Sequence, residues 1–364
     1  MSPRIPVAAP GRMPAEELDA VKTAIAAVVS SGTYVGGDVV TTFEEEFARI
    51  VGAGTYSVSV ASGLDALILA LSALELPRAS AVPVPPNDAG FAALAVQSVG
   101  LVAVQMDVSK EGLVDVDLVE AHATQDVSAV IATHLHGLAV DLSAVSGWCR
   151  SRGVRLIEDC AQAHGARGVG RHGDAATFSF YPTKNLGAFG DGGAVVTRNE
   201  HLAGRIRALR EYGWGDRYSV RHPDGRNSRL DTLQAAILLA RLPFLERNNL
   251  ARREVVGCYR RAVPNVRFLA RDDASFVAHH AVVVDPDRER LIARLCEAGI
   301  GHAVHYPTLV SEMPGISLGR GPEARAASQM RDHIVSLPCF PGITEPEVAA
   351  VSDVLIAWSR ECHG

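Results

Sequence analysis

The stretch SFYPTKNLGAFGDGGAVVT, residues 179–197, decides the fold. It continues a β-like run, ATFSFYP, presents one lysine, Lys184, ahead of a glycine-rich loop, and returns to a second β-like run, GGAVVT. Outward from it, YSVSVA, SAVPVP, LVAVQMDV, SAVIATHL and VRLIEDC are five more short apolar runs, which brings the candidate strands to seven. Helical patterns at 90–98, 117–123 and 142–152 separate most of them. An α/β fold follows, with a mostly parallel seven-stranded sheet covered by helices on both faces.

The flanks complete the outline. Pro14 opens a helix in which Leu18, Val21, Ile25 and Val28 recur at helical spacing, with Glu16 and Glu17 in the first turn and Gly32 past the end. FEEEFARIVG reads as a shorter helix whose acids form a solvated face, and SGLDALILALSAL as a buried one. From Leu230 a long helical pattern runs to Val263, broken only by Pro243. Beyond it, FVAHHAVVV, RERLIARLCEAG and EPEVAAVSDVLIAWSRE suggest a smaller α/β unit. The expected division is a large domain over 1–240 and a small C-terminal domain over 241–364.

With 364 residues and 48% apolar content the chain can bury a large core. A net charge of -6 gives no basic footprint for nucleic acid or an anionic membrane surface. Six scattered cysteines without a CxxC pair point to reduced thiols and a cytoplasmic setting. No uncharged run approaches the ~20 residues that span a bilayer, and no signal segment is indicated.

Three motifs fall at expected strand ends, where open α/β sheets bind ligands. Ser62-Gly63-Leu64 leads straight into a helix, whose free amides would cradle a phosphate. GxGxxG and GxxxxGK are both missing there, so neither a dinucleotide fingerprint nor a P-loop is supported. Asp159 ends VRLIED with Gln162 three residues on; its carboxylate suits a protonated ring nitrogen, and equally a helix cap. Ser179 could hold a phosphate oxygen, and Lys184, unless it is an ordinary surface lysine, could form an imine with an aldehyde. A ligand with a phosphate, a ring nitrogen and an aldehyde satisfies all three, and pyridoxal 5'-phosphate has them. His134, His136 and His164 invite a metal, but no cysteine or carboxylate spacing accompanies them, so none is expected.

The order and spacing of SGLDAL, THLHG, IEDCAQAHGA, SFYPTKNLGAFGDGG, NSRLDTLQAA and HYPT resemble the DegT/StrS-type nucleotide-sugar aminotransferases, which have the aspartate-aminotransferase fold, over nearly the whole chain. The resemblance implies a pyridoxal 5'-phosphate cofactor with Lys184 as the Schiff-base lysine, Asp159 at the pyridine nitrogen and Gln162 near the phenolate oxygen. It places Ser62, Ser179 and the Gly63 and Leu64 amides at the phosphate. Asn227 would reach the phosphate of a neighbouring subunit, which implies a homodimer with shared active sites. Arg229, His305 and Tyr306 fall where the family lines its substrate cleft, although Arg229 equally suits a salt-bridging role.

Departures from the pattern concern substrate and stacking. Leu64 stands where a threonine is usual, His136 where tyrosine is common, and Ser311 where a second histidine is frequent. In PNDAGFAAL, Ala89 occupies the place of the aromatic that stacks on the cofactor. Phe91 is the candidate substitute; the alternative is that it packs into the core as the first residue of its helix. The expected activity is transfer of an amino group from an amino acid, such as glutamate or glutamine, to a keto group of a nucleotide-activated deoxysugar. A keto-cyclitol acceptor and a catalytically weak cofactor-binding regulator are the alternatives.

Overall fold

The structure, a computed structural model, describes residues 4–122 and 126–362. All seven expected runs are strands: β1 (Tyr56–Val60), β2 (Ala81–Val84), β3 (Val102–Gln105), β4 (Ala129–Thr133), β5 (Arg155–Asp159), β6 (Ala175–Ser179) and β7 (Gly193–Thr197). The single seven-stranded sheet is corrected. Five strands form one mixed sheet in the order β1-β7-β6-β5-β4, and β2 and β3 form a separate parallel pair, joined to the chain before β4 by a bridge between Ala81 and Val127. β4, β5 and β6 are parallel, whereas β7 runs antiparallel to both β6 and β1. The connection over 180–192 holds no helix to carry a crossover to a parallel strand, and β7 folds back antiparallel to β6.

That reversal positions the site. Because β7 is antiparallel to both neighbours, β1 points the same way as β6, and β1, β4, β5 and β6 all end at one edge. Gly193 pairs with Val60 on one side and Ser179 on the other, while Asp159 pairs with Thr133 and Thr177. The three sequence motifs therefore emerge side by side.

Helices α1 (Ala15–Ser31), α2 (Asp38–Val51) and α3 (Gly63–Ala73) precede β2, and Gly32 ends α1 at φ 70°, a left-handed conformation that glycine adopts without steric cost. α3 buries Ala66 through Leu71 against β6 and β7, which explains its almost unbroken apolar sequence. α4 (Phe91–Ser98), α5 (Val116–His122) and α6 (Ser143–Arg152) match the expected helices; of the 117–123 pattern, Ala123 lies outside the described residues. The solvated-face reading of FEEEFA is corrected at one position. Glu44 is buried and accepts bonds from the Ser59 N–H and hydroxyl and from Arg210, whereas Glu45 and Glu46 stay outside. Arg210 ends α7 (Glu200–Arg210), which is followed by a small hairpin, β8 (Trp214–Asp216) and β9 (Ser219–Val220).

The long helical pattern is α8 (Thr232–Arg241), a 3-10 turn at Leu242–Phe244 containing Pro243, and α9 (Leu245–Ala262). An antiparallel sheet follows in the order β10 (Arg267–Leu269), β11 (Ala281–Val284), β12 (Ile334–Leu337). α10 (Arg288–Glu297), α11 (Arg325–His333) and α12 (Glu345–Cys362) accompany it. No described helix is long and apolar enough to cross a membrane.

Candidate active site

The phosphate end is built from two strand ends in contact. Ser62 caps α3, its hydroxyl accepting the Asp65 N–H at 3.1 Å, and its carbonyl accepts the Ala66 N–H. The Gly63 and Leu64 N–H groups have no protein acceptor among the described residues. Gly63 cannot be another residue without rearrangement, since a Cβ there would lie 2.6 Å from the Ser179 Cβ. Backbone amides at a helix start and the half-buried Ser179 hydroxyl thus face one spot, an anion site of the kind helix N-termini make.

Lys184 sits in a turn in which its N–H bonds the Tyr181 carbonyl, and a Cβ on Gly187 would meet the Pro182 oxygen at 2.5 Å. Next to it, buried Asn185 donates to the Asn249 side chain at 2.7 Å and to the Val277 carbonyl at 2.9 Å, tying the lysine loop to α9. Desolvation lowers the Lys184 ammonium to about 8, against a smaller opposing pull from Asp159. Burial raises the Asp159 carboxyl, partly offset by the Ala161 N–H on its Oδ1 at 3.0 Å and then by Lys184 and His134. Each member of this pair keeps the other nearer its charged form.

Gln162 bridges: its Oε1 accepts the His136 N–H at 2.7 Å, and its Nε2 donates to the Tyr306 oxygen at 2.9 Å. His305 stacks flat on His280, with ring centres 3.8 Å apart, and its Nδ1 meets the Ser336 hydroxyl at 2.8 Å. The structure therefore gathers Ser62, Gly63, Leu64, Ser179, Asp159, Gln162, Lys184, His305 and Tyr306 around one sheet edge. Three expected residues stand apart. Asn227 is exposed and its side chain bonds nothing among the described residues, although its neighbour Ser228 donates to Asp65 of α3 at 2.8 Å. Arg229 lies over the Tyr212 ring at 5.6 Å, in a recess with Trp214 and Tyr218, and pairs with no carboxylate among the described residues. Phe91 is 48% exposed, which overturns the core alternative for it, and Ala89 has φ 64° and Gly90 φ 80°.

The three histidines of the metal question diverge. His134 pairs with Glu158 at 3.1 Å, His136 faces His280, and His164 packs on Phe178 and Phe180. His134, Glu158 and Cys160 come close enough to hold an ion, but Glu158 already accepts the Gly170, His172 and Gly173 N–H groups besides His134. These bonds use the carboxylate's acceptor sites, which makes the cluster a structural brace.

Sequence reasoning missed Asp88 and the His279–His280 pair. Asp88 is buried and accepts the Gly90 and Ala92 N–H groups; burial and then nearby Asp159 raise its carboxyl to about 7. An Asp two residues before a Gly and a helix was the available signal for a cap. His279 and His280 are held neutral chiefly by burial, with both pKa values well below the ordinary value.

Pyridoxal 5'-phosphate fits these groups: unclaimed amides and a hydroxyl for its phosphate, a buried carboxylate for its ring nitrogen, and a partly neutral amine for its aldehyde. The comparisons agree. Residues 16–356 match the model of the DegT/DnrJ/EryC1/StrS aminotransferase family. The chain is 38% identical over 344 residues, covering 90% of itself and 91% of the relative, to dTDP-3-amino-3,4,6-trideoxy-alpha-D-glucose transaminase of Micromonospora megalomicea subsp. nigra. It is 35% identical over 356 residues, 95% of each chain, to UDP-N-acetyl-3-dehydro-alpha-D-glucosamine 3-aminotransferase of Acidithiobacillus ferrooxidans. Its fold superposes on S. venezuelae DesV, solved with a ketimine intermediate, with a TM-score of 0.92 and 34% identity over 98% of this chain and 99% of that one. With strand ends, lysine and relatives in accord, the chain belongs to the DegT/DnrJ/EryC1/StrS aminotransferase family and is a pyridoxal-phosphate-dependent aminotransferase.

Proposed function

We propose that the protein transfers an amino group from an amino acid, with glutamate or glutamine as the donor, to a keto carbon of a nucleotide-activated deoxysugar. The observation that supports it most is a desolvated amine, Lys184, lowered to about 8 at the same strand edge as buried Asp159 and Gln162. Named relatives that act on dTDP- and UDP-sugars favour this acceptor over a keto-cyclitol, and transaminase names among them favour an enzyme over a regulator.

When bound, pyridoxal phosphate supplies the carbonyl carbon and a ring that withdraws electrons. Ser179 and the Gly63 and Leu64 amides hold its phosphate. Asp159 keeps a proton on the ring nitrogen, and Gln162, oriented by the His136 N–H and Tyr306, holds the ring oxygen. Lys184, as a free amine, accepts and returns a proton within the cleft. His305 and Tyr306 border the acceptor side. Asn227, exposed and unengaged, is suited to a neighbouring subunit's phosphate, and with it we propose a homodimer in the cytoplasm, with a cofactor-binding domain over 1–240 and a small domain over 241–364.

Borohydride reduction followed by peptide mapping tests the lysine. Only Lys22 and Lys110, both exposed, remain in Lys184→Ala. That variant should yield no cofactor-bearing peptide; an adduct on either other lysine would refute the assignment. Mixing Lys184→Ala with Asn227→Ala chains tests sharing, because a shared arrangement regenerates one competent site per heterodimer.

A further inference from the structure

Lys184 also lines a second space, a cavity of about 220 Å³ that Asp159, Gln162 and Ser179 do not reach. Its walls are the 7–14 segment, the lysine loop, one side of α9 and the Leu337–Pro341 stretch. The volume is below the ~300 Å³ at which pockets for drug-sized ligands begin, so this space suits a small molecule.

Charge in this cavity is unbalanced. Of the arginines deepest in it, Arg241 donates to Glu17 Oε1 at 2.8 Å, and Asn248 donates to Glu17 Oε2 at 2.9 Å, so the carboxylate of Glu17 is engaged. Arg252 is only 8% exposed and makes one long bond, Nη1 to the Cys339 carbonyl at 3.3 Å. Its Nε is buried with no partner, and no carboxylate lies within ion-pairing distance among the described residues. A buried guanidinium cannot neutralise itself by losing a proton, so it requires an anion. His279 and His280, held neutral by burial, add no charge. The cavity, which Lys184 also lines, thus presents one uncompensated planar cation.

We infer that Arg252 anchors a carboxylate of the amino-acid donor and of the 2-oxo acid it leaves. The inference rests on the transaminase reading, which requires an amino acid and a sugar to alternate at Lys184. Of the two, only the amino acid is both small and anionic at carboxylates, and Arg matches a carboxylate with two parallel hydrogen bonds. Arg252 is a binding residue in this scheme and performs no proton transfer.

Calorimetry with the cofactor-loaded enzyme tests it, using glutarate as an unreactive dicarboxylate and glutaramide as its uncharged counterpart. Glutarate should bind and glutaramide should not; equal binding, or none by glutarate, overturns the inference without any variant. In Arg252→Gln, glutarate affinity should fall about tenfold or more, the expected loss of a charge-assisted bond. The glutamate concentration that half-saturates bleaching of the visible band in a single turnover should rise similarly, while the unreacted spectrum stays as in wild type. Unchanged half-saturation in a folded Arg252→Gln overturns the role of Arg252 alone. If no amino acid bleaches the wild-type band, the transaminase reading itself fails.

Discussion

Gln162 and Tyr306, 144 positions apart, are joined by a 2.9 Å hydrogen bond from the amide Nε2 to the phenolic oxygen. It links the chain just past β5 to the HYPT segment and fixes the side chain that we propose faces the cofactor ring. Burial, then Asp88 and Asp159, push the Tyr306 phenol up to about 12, so it stays protonated at neutral pH. Tyr306→Phe leaves the buried Gln162 amide without its acceptor, a loss of about 1–3 kcal/mol. Denaturant unfolding should show that loss, and Gln162→Ala on top of it should cost about 1–3 kcal/mol more, because the buried His136 N–H then loses its acceptor.

Gly63→Ala tests the contact between strand ends. The added methyl would stand 2.6 Å from the Ser179 Cβ, so α3 or β6 must shift. Overpacking of this kind costs roughly 1–3 kcal/mol. We expect pyridoxal phosphate retention to fall further than apo-protein stability does, because the displaced amides are those proposed to hold the phosphate. Equilibrium dialysis of cofactor against thermal melting separates the two.

Capture of pyridoxal phosphate by the apo protein should rise with pH around a midpoint near 8, where the Lys184 ammonium loses its proton. Asp159 holds that proton on, so Asp159→Asn should move the midpoint to lower pH. The sign for folding follows: Lys184 is depressed in the native state, so its destabilising contribution is fully present below about 8 and is relieved as pH rises toward the ordinary lysine value. Stopped-flow absorbance across pH 6–10 on the wild type and Asp159→Asn measures the shift.

Phe91, at 48% exposure, stabilises the apo fold little, and Phe91→Ala should change its melting by no more than about 0.5 kcal/mol. If its ring stacks on the cofactor, loss of a stacked aromatic weakens retention by about 0.5–1.5 kcal/mol. Fluorescence titration of apo wild type and Phe91→Ala with pyridoxal phosphate gives the answer, and equal affinities would end the stacking idea.

The sequence alone determined the elements and the chemistry at their ends. Apolar runs marked all seven strands of the β1–β7 series, and Ser62-Gly63, Asp159, Ser179 and Lys184 at expected strand ends pointed to a ligand with a phosphate, a ring nitrogen and an aldehyde. Such features are local: periodicity, turn residues and strand ends are written in neighbouring positions. Tertiary structure decided what depends on partners distant in sequence. The hairpin return of β7 made the sheet mixed and set Gly193 between Val60 and Ser179. Glu44, in a run of acids, is drawn inside because Ser59 and Arg210, the latter 166 positions away, meet it there. Phe91, whose place at the start of a helical pattern left a core position open, ends 48% exposed after the left-handed Ala89 and Gly90. Arg252 reads as one arginine among many on a helix, and its unpaired charge emerges only when α9, the 7–14 segment and Cys339 enclose it. Burial is a property of the assembled chain, and it is burial that turns an ordinary lysine, carboxylate or arginine into a reactive or ligand-seeking one.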